Sequence, residues 1–190
     1  MNKLSLHHIQ QKLSCSTYAP LSHTEMRQAC VMVPIVMKDD QLHLLLTKRT
    51  EIVEHHKGQI SFPGGMVDED DESSNATALR EVAEEIGIPS SAITILGRLD
   101  DIHIPSGFVV TPIVGYIDSL SALKTSPDEV AEVILIPLEK FFDLSLRRTE
   151  MRELKGVERQ VYLYDVWKEP VWGATAFIIK QFVDIIGVEQ

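Results

Sequence analysis

Positions 64–88 read GGMVDEDDESSNATALREVAEEIGI, and Arg80-Glu81-Val82-Ala83-Glu84-Glu85 sets an arginine and three glutamates side by side. Residues three and four apart share one face of a helix. Glu81, Glu84 and Glu85 are therefore expected to present carboxylates along one ridge, with Val82 and Ile86 turned elsewhere. Like charges at this spacing destabilise an isolated helix by about 0.2–0.5 kcal/mol per pair. These acids also fall near the negative end of the helix dipole. Bound hard cations would offset both penalties. Oxygen ligands grouped at one helix end suit Mg²⁺, which takes one or two carboxylates and keeps places for water and substrate phosphate. A Glu-rich helix alone more often forms a solvated acidic face. The adjoining Gly64-Gly65 pair favours a site, because glycine lets backbone amides and carbonyls approach a metal or phosphate closely.

The charge balance points the same way. Lys plus Arg total 18 against 28 Asp plus Glu, a net charge of −10. That balance argues against nonspecific binding of duplex DNA or of an anionic membrane, so neither is expected as a partner. A phosphate-bearing ligand would need a cation to bridge the repulsion, and a divalent metal supplies one. The 190 residues suit one domain with short extensions. Cys15 and Cys30 form neither a disulfide framework nor a zinc-ligand spacing. No apolar run approaches the roughly 20 residues of a membrane span. The N-terminal MNKLSLHHIQQKL lacks a signal peptide's apolar core, and the final Gly-Val-Glu-Gln is not a peroxisomal address. A soluble, cytoplasmic protein is expected.

The acidic stretch resembles the signature of the Nudix hydrolases: Gly, five residues, Glu, seven residues, then Arg-Glu-apolar-any-Glu-Glu-any-Gly-apolar. Glu72, seven intervening residues and Arg80-Glu81-Val82-Ala83-Glu84-Glu85-Ile86-Gly87-Ile88 match its second part in full. The first part departs, since six residues separate Gly65 from Glu72. Either Asp71 takes the place of the first acid or the loop bulges. The coenzyme A pyrophosphatase branch resembles this chain in that extra residue. It also carries Leu-Leu-Thr-any-Arg-(Ser/Ala), three residues, Arg, three residues, Gly, three residues, Phe-Pro-Gly-Gly. Here stand Leu45-Leu46-Thr47-Lys48-Arg49-Thr50, then Glu54, Gly58 and Phe62-Pro63-Gly64-Gly65. Thr50 is a mild departure. Glu54 reverses a charge, for which Lys57, His55 or His56 could compensate. Similarity continues through 99–102, 111–116 and 172–176.

The resemblance implies hydrolysis of a nucleotide diphosphate derivative with Mg²⁺ or Mn²⁺. Coenzyme A or an acyl derivative leads as the small-molecule substrate, ahead of ADP-ribose, dinucleoside polyphosphates and nucleoside diphosphate sugars. A non-catalytic ligand-binding module is the rival from another class. The resemblance gives Glu81 and Glu85 as metal ligands, Glu84 as a further ligand, direct or through water, and Gly65 as a carbonyl donor. Arg80 would orient the glutamates through Asp71 or Glu72. Glu129 is the first choice for the general base and Glu132 the second, with Glu84 also placed in the catalytic set. Arg49, Lys48, Gly64 and Lys57 would meet the substrate, the arginine fork suiting phosphate better than lysine. Adjacent His55 and His56 rarely converge on one ion, and no further ligand is spaced for zinc. A homodimer is left open.

Several elements must position these groups. Residues 4–13 suggest a short amphipathic helix in an N-terminal extension covering 1–28, ahead of a Nudix domain at 29–190. His7 and His8 are expected at the surface. Residues 29–37 and 42–47 read as strands joined at Lys38-Asp39-Asp40, and 59–62 as an extended piece ended by Pro63-Gly64-Gly65. Ser73–Ile86 is expected as a helix with a Ser cap, an acidic first turn and Gly87 past its end. Strands follow at 92–98, 108–117 and 130–136. A helical turn is expected at 137–142, a hairpin from 149–154 and 159–167, and a terminal helix at 174–186 over Trp167 and Trp172. This order argues for an α/β/α sandwich with a mixed β-sheet.

Overall fold

The apolar run at 29–37 is continuous because its strand is covered on both faces, as a strand central to a mixed sheet must be. In the computed structural model, which describes residues 4–21, 26–51, 58–154 and 156–187, that run lies within β1 (Arg27–Lys38). β1 pairs in parallel with β7 (Phe108–Ile117). It pairs antiparallel with β2 (Gln41–Arg49) and, at its start, with β4 (Gly64–Met66). Asp39 and Asp40 both take left-handed φ angles, 50° and 58°, closing a two-residue hairpin whose twist matches the flanking strands. β3 (Ile60–Ser61) and β8 (Val130–Pro137) flank β2. β5 (Ile93–Arg98) and β6 (Ile102–Ile104) flank β7. A separate three-stranded sheet holds β9 (Arg147–Leu154), β10 (Val157–Tyr164) and β11 (Val171–Trp172).

Alternation along β1 and β2 feeds two cores. Cys30, Met32, Val36 and Leu45 meet Ala78, Val82 and Ile86 of α2 (Ser74–Ile86). Val33, Ile35, Leu44 and Leu46 face the other way, toward Ile178, Phe182 and Ile186 of α3 (Gly173–Ile186). Burying a Val or Ile fully contributes about 1.5–3 kcal/mol, so Val82 and Ile86 fix which face of α2 points inward. Ile9 and Leu13 of α1 (Leu6–Cys15) join the α3-side core, so this helix packs into the same interior.

Sequence expectations hold for the α/β/α layering, with differences at particular points. The first turn of α2 carries no acid, because the capping residue is Ser73 itself and the acids at 70–72 precede it. His8 is half-buried, with Nε2 3.1 Å from the carbonyl oxygen of Ile186. Trp167 packs on the α3-side core, whereas Trp172 begins α3 with the Arg152 guanidinium over its ring. The short strands β6 and β11 have too few residues to show a period. No helix among the described residues is long and apolar enough to cross a membrane.

Candidate metal and diphosphate site

The acidic ridge lies where the last turns of α2 cross β4. Backbone leaves no room for a side chain at Gly64, and a side chain at Gly65 would displace the Glu81 carboxylate. A Cβ on Gly64 would stand 2.4 Å from the Cys30 carbonyl oxygen, and one on Gly65 would stand 2.4 Å from Glu81 Oε1. The backbone of β4 thus passes directly beneath a carboxylate.

Arg80 organises the ridge. Its Nε donates to Asp71 Oδ1 at 3.2 Å, and Nη2 donates to Asp71 Oδ2 and to the Met66 carbonyl, both at 2.9 Å. Nη1 donates to Glu81 Oε1 at 2.8 Å and to Glu84 Oε2 at 3.1 Å. The fork spends its donors on one loop carboxylate, the last carbonyl of β4 and two ridge glutamates, so it fixes geometry as well as charge. Of the two candidates for the first acid, Asp71 meets Arg80, while Glu72 is exposed. The bonds from Arg80 hold the Asp71 carboxyl well below the usual carboxylate range.

The three glutamates share a helix end but not an environment. Glu84 is 57% exposed, Glu81 12% and Glu85 3%. Burial pushes the Glu81 carboxyl up against the opposing pull of Arg80. Burial raises Glu85 to about 7, although the Gly64 N–H donates to its Oε1 at 3.3 Å and Arg49 Nη1 approaches to 3.8 Å. The negative charges of Glu81 and Glu129 raise it further.

Arg49 reaches Glu85 from the end of β2, where the pairing with β8 shifts register between Lys48 and Arg49. Its Nε is buried without a hydrogen-bond partner. Lys48 is not gathered with this group. Strand alternation turns it to the other face, where Nζ pairs with Glu169 Oε1 at 2.5 Å. Glu129 is exposed just before β8, on a loop tied to the end of α2: the Ser126 N–H donates to the Glu85 carbonyl and the Lys124 N–H to that of Ile86. Its charge acts on Glu81 and Glu85 together. Glu132 is exposed and sits opposite Lys48 in the β2–β8 register. Lys57, Glu54, His55 and His56 lie outside the described residues.

Among the described residues, no three His, Cys, Asp or Glu side chains already converge as a metal cage. Arg80 engages two of the glutamates, and Glu85 turns toward the Gly64 amide. The donor set nevertheless fits a hard divalent cation. It is all oxygen, it is partly desolvated, and Glu81 and Glu85 bind protons more tightly than isolated carboxylates do. Sequence reading did not single out the roles of Asp68, 3.7 Å from Arg80, or of Ser126 and Thr50 in bracing the loop. The Ser126-Pro127 turn signal is the trace these braces leave in the sequence.

A family model described as the NUDIX domain matches residues 26–156. Among curated relatives, the uncharacterized Nudix hydrolase NudL of Photorhabdus laumondii is 38% identical over 85% of this chain and 86% of its own length. The protein of the same name from Yersinia pestis is 37% identical over 85% and 81%. Among solved structures, a MutT/nudix family protein from Enterococcus faecalis matches with TM-score 0.55 at 20% identity, covering 97% of this chain and 75% of that one. The NUDIX domain of Shewanella oneidensis NrtR, cocrystallised with ADP ribose, matches with TM-score 0.50 at 24% identity, covering 63% and 78%. At such identities the structural likeness is one of fold.

Proposed function

Since the chain belongs to the Nudix family, we propose that it hydrolyses the diphosphate bond of coenzyme A or acyl-coenzyme A, with Mg²⁺ or Mn²⁺, to 3′,5′-ADP and (acyl-)4′-phosphopantetheine. It is a Nudix pyrophosphohydrolase, and Nudix hydrolases generally use divalent metal ions. The observation that carries the reading is the buried Glu85 beside the half-buried Glu81 over Gly64-Gly65, with the Arg49 fork facing Glu85. The coenzyme A assignment is supported by the resemblance that runs from Leu45 to Gly65.

Glu81 and Glu85 would hold the cation, with Glu84 and the Gly65 carbonyl as further donors. When bound, the cation neutralises the diphosphate and activates water for attack at phosphorus. Arg80 keeps Glu81 in place and holds Asp71 and the Met66 carbonyl beside the ridge. Arg49 is partly exposed and its ion pair with Glu85 is loose at 3.8 Å, so the outer edge of its planar fork is available to phosphate oxygens. Glu129 accepts the proton of the attacking water from its exposed loop. Water's oxygen bonds to one phosphorus, the P–O bond to the bridging oxygen breaks, and that oxygen leaves with the other phosphate. Retention of Arg80 and all three glutamates argues against a module that binds without turnover.

A substrate panel tests the assignment. Coenzyme A, acetyl-coenzyme A, ADP-ribose, a dinucleoside polyphosphate and a nucleoside diphosphate sugar are incubated with Mg²⁺ or Mn²⁺ and resolved by product chromatography. Release of 3′,5′-ADP from coenzyme A is expected. Turnover of ADP-ribose with coenzyme A left intact would overturn the choice of substrate.

A further inference from the structure

We propose that Thr50 is a positioning residue that holds Glu129 toward the glutamate ridge by gripping the backbone of its loop. The inference rests on the reading of Glu129 as the general base. Thr50 directly follows Arg49 at the end of β2. Its amide donates to the Glu129 carbonyl at 3.0 Å, and its hydroxyl donates to the Asp128 carbonyl at 2.8 Å. One residue thereby holds two consecutive carbonyls of the loop.

The opposite side of the same loop is tied to α2. The Ser126 N–H donates to the Glu85 carbonyl at 2.8 Å, while the Ser126 carbonyl accepts from the N–H groups of Glu129 and Val130 at 3.2 and 2.8 Å. Glu129 is therefore braced between Thr50 and, through Ser126, the backbone of Glu85, beside the 3.8 Å contact of the Arg49 and Glu85 side chains. Its carboxylate is exposed and close enough for its charge to act on both Glu81 and Glu85. Any residue except proline would supply the amide bond. The hydroxyl bond needs Ser or Thr, and with the Glu129 N–H bonded to Ser126 it holds the 128–129 peptide from both sides. A shift of about 1 Å in a reacting group can cost up to a hundredfold in rate, so one hydroxyl on a backbone can govern turnover without touching substrate.

The test uses full-length Thr50→Val, Thr50→Ser and Glu129→Gln enzymes and the Thr50→Val/Glu129→Gln double variant. Each is assayed with Mg²⁺ on coenzyme A and separately on ADP-ribose, alongside thermal unfolding. Loss of a general base lowers turnover by about a hundredfold or more, which sets the expectation for Glu129→Gln. Thr50→Val is expected to lower kcat about tenfold with KM little changed, as misplacement of a catalytic group does. Thr50→Ser, which keeps the hydroxyl, should recover most of that loss. The double variant should be no slower than Glu129→Gln, since a positioning residue has nothing left to position. A normal Thr50→Val rate beside a slow Glu129→Gln enzyme overturns the inference and leaves the base in place, as does a full further loss in the double variant. A normal Glu129→Gln rate overturns both. If Thr50→Val fails to fold, Thr50→Ala in the same cycle carries the same expectations.

Discussion

Asp71 holds Arg80 with both carboxylate oxygens, Oδ1 accepting from Nε at 3.2 Å and Oδ2 from Nη2 at 2.9 Å. Glu72, which the spacing to Arg80 favours as the signature acid, is exposed instead. The two acids can be separated by substitution. Asp71→Ala should free the arginine and let Glu81 and Glu84 drift, lowering turnover by up to about a hundredfold and lowering the thermal midpoint. Glu72→Gln should leave both close to wild type. Kinetics and thermal melts of the two variants check the assignment, and the reverse pattern would hand the role to Glu72.

Glu85 sets a pH dependence whose sign follows from its burial. Its carboxyl rises from 4.5 to about 7 on folding. Below about pH 4.5 it is protonated in folded and unfolded chains alike, and no penalty arises. Between about 4.5 and 7 the unfolded chain releases its proton first, so stability falls as pH rises. The full difference is about 3 kcal/mol by the conversion of one pKa unit to 1.36 kcal/mol. Chelator-treated protein should thus lose stability from pH 5 to pH 8. Glu85→Gln should flatten that slope while cutting turnover by at least about a hundredfold. Denaturant melts across this range check it, and a slope unchanged in the variant would refute it. Added Mg²⁺ should stabilise wild type more at pH 8 than at pH 5, because the cation competes with the proton.

The glutamate ridge was legible because helical spacing is local: Glu81, Glu84, Glu85, Val82 and Ile86 are sorted by the α2 period alone. The division of labour among the glutamates was not. Glu85 is buried and Glu84 exposed because of where β4 passes, and that is a matter of packing between distant segments. Strand alternation likewise separates Lys48 from Arg49, but the register shift beside Arg49 arises from pairing with β8, some eighty positions along the chain. The choice between Asp71 and Glu72 depends on loop geometry at 66–72, where no period applies. Thr50 shows in the sequence only as a mild departure from Ser/Ala, since its bonds go to carbonyls at 128 and 129.

Gly65→Ala tests whether the close approach of β4 to the ridge matters. The added methyl would meet Glu81 Oε1 at 2.4 Å and its Cδ at 2.6 Å, so the carboxylate must swing aside. Metal affinity should fall by about 10–100-fold, as when a supporting group of a metal site is displaced. Calorimetric titration with Mn²⁺ measures this directly. Affinity equal to wild type would mean that Glu81 does not hold the cation from this position.

Arg49 is the cation best placed to meet substrate, since it is partly exposed beside the ridge and its contact with Glu85 is long. Hydrogen bonds between charged groups contribute about 1.5–3 kcal/mol each, so Arg49→Ala should raise KM by about ten- to a hundredfold. Arg49→Lys should recover little of that loss, because an ammonium offers a point charge where the fork offers two parallel donors. A second consequence follows inside the protein. Arg49 draws the Glu85 carboxyl down against burial, so its removal should make Glu85 bind its proton more tightly. Onset of activity should then move to higher pH in Arg49→Ala but not in Arg49→Lys, where a positive charge remains. Steady-state kinetics from pH 5 to 9 separate the two roles: a KM effect without a pH shift confines Arg49 to phosphate binding, and a normal KM removes it from the substrate site.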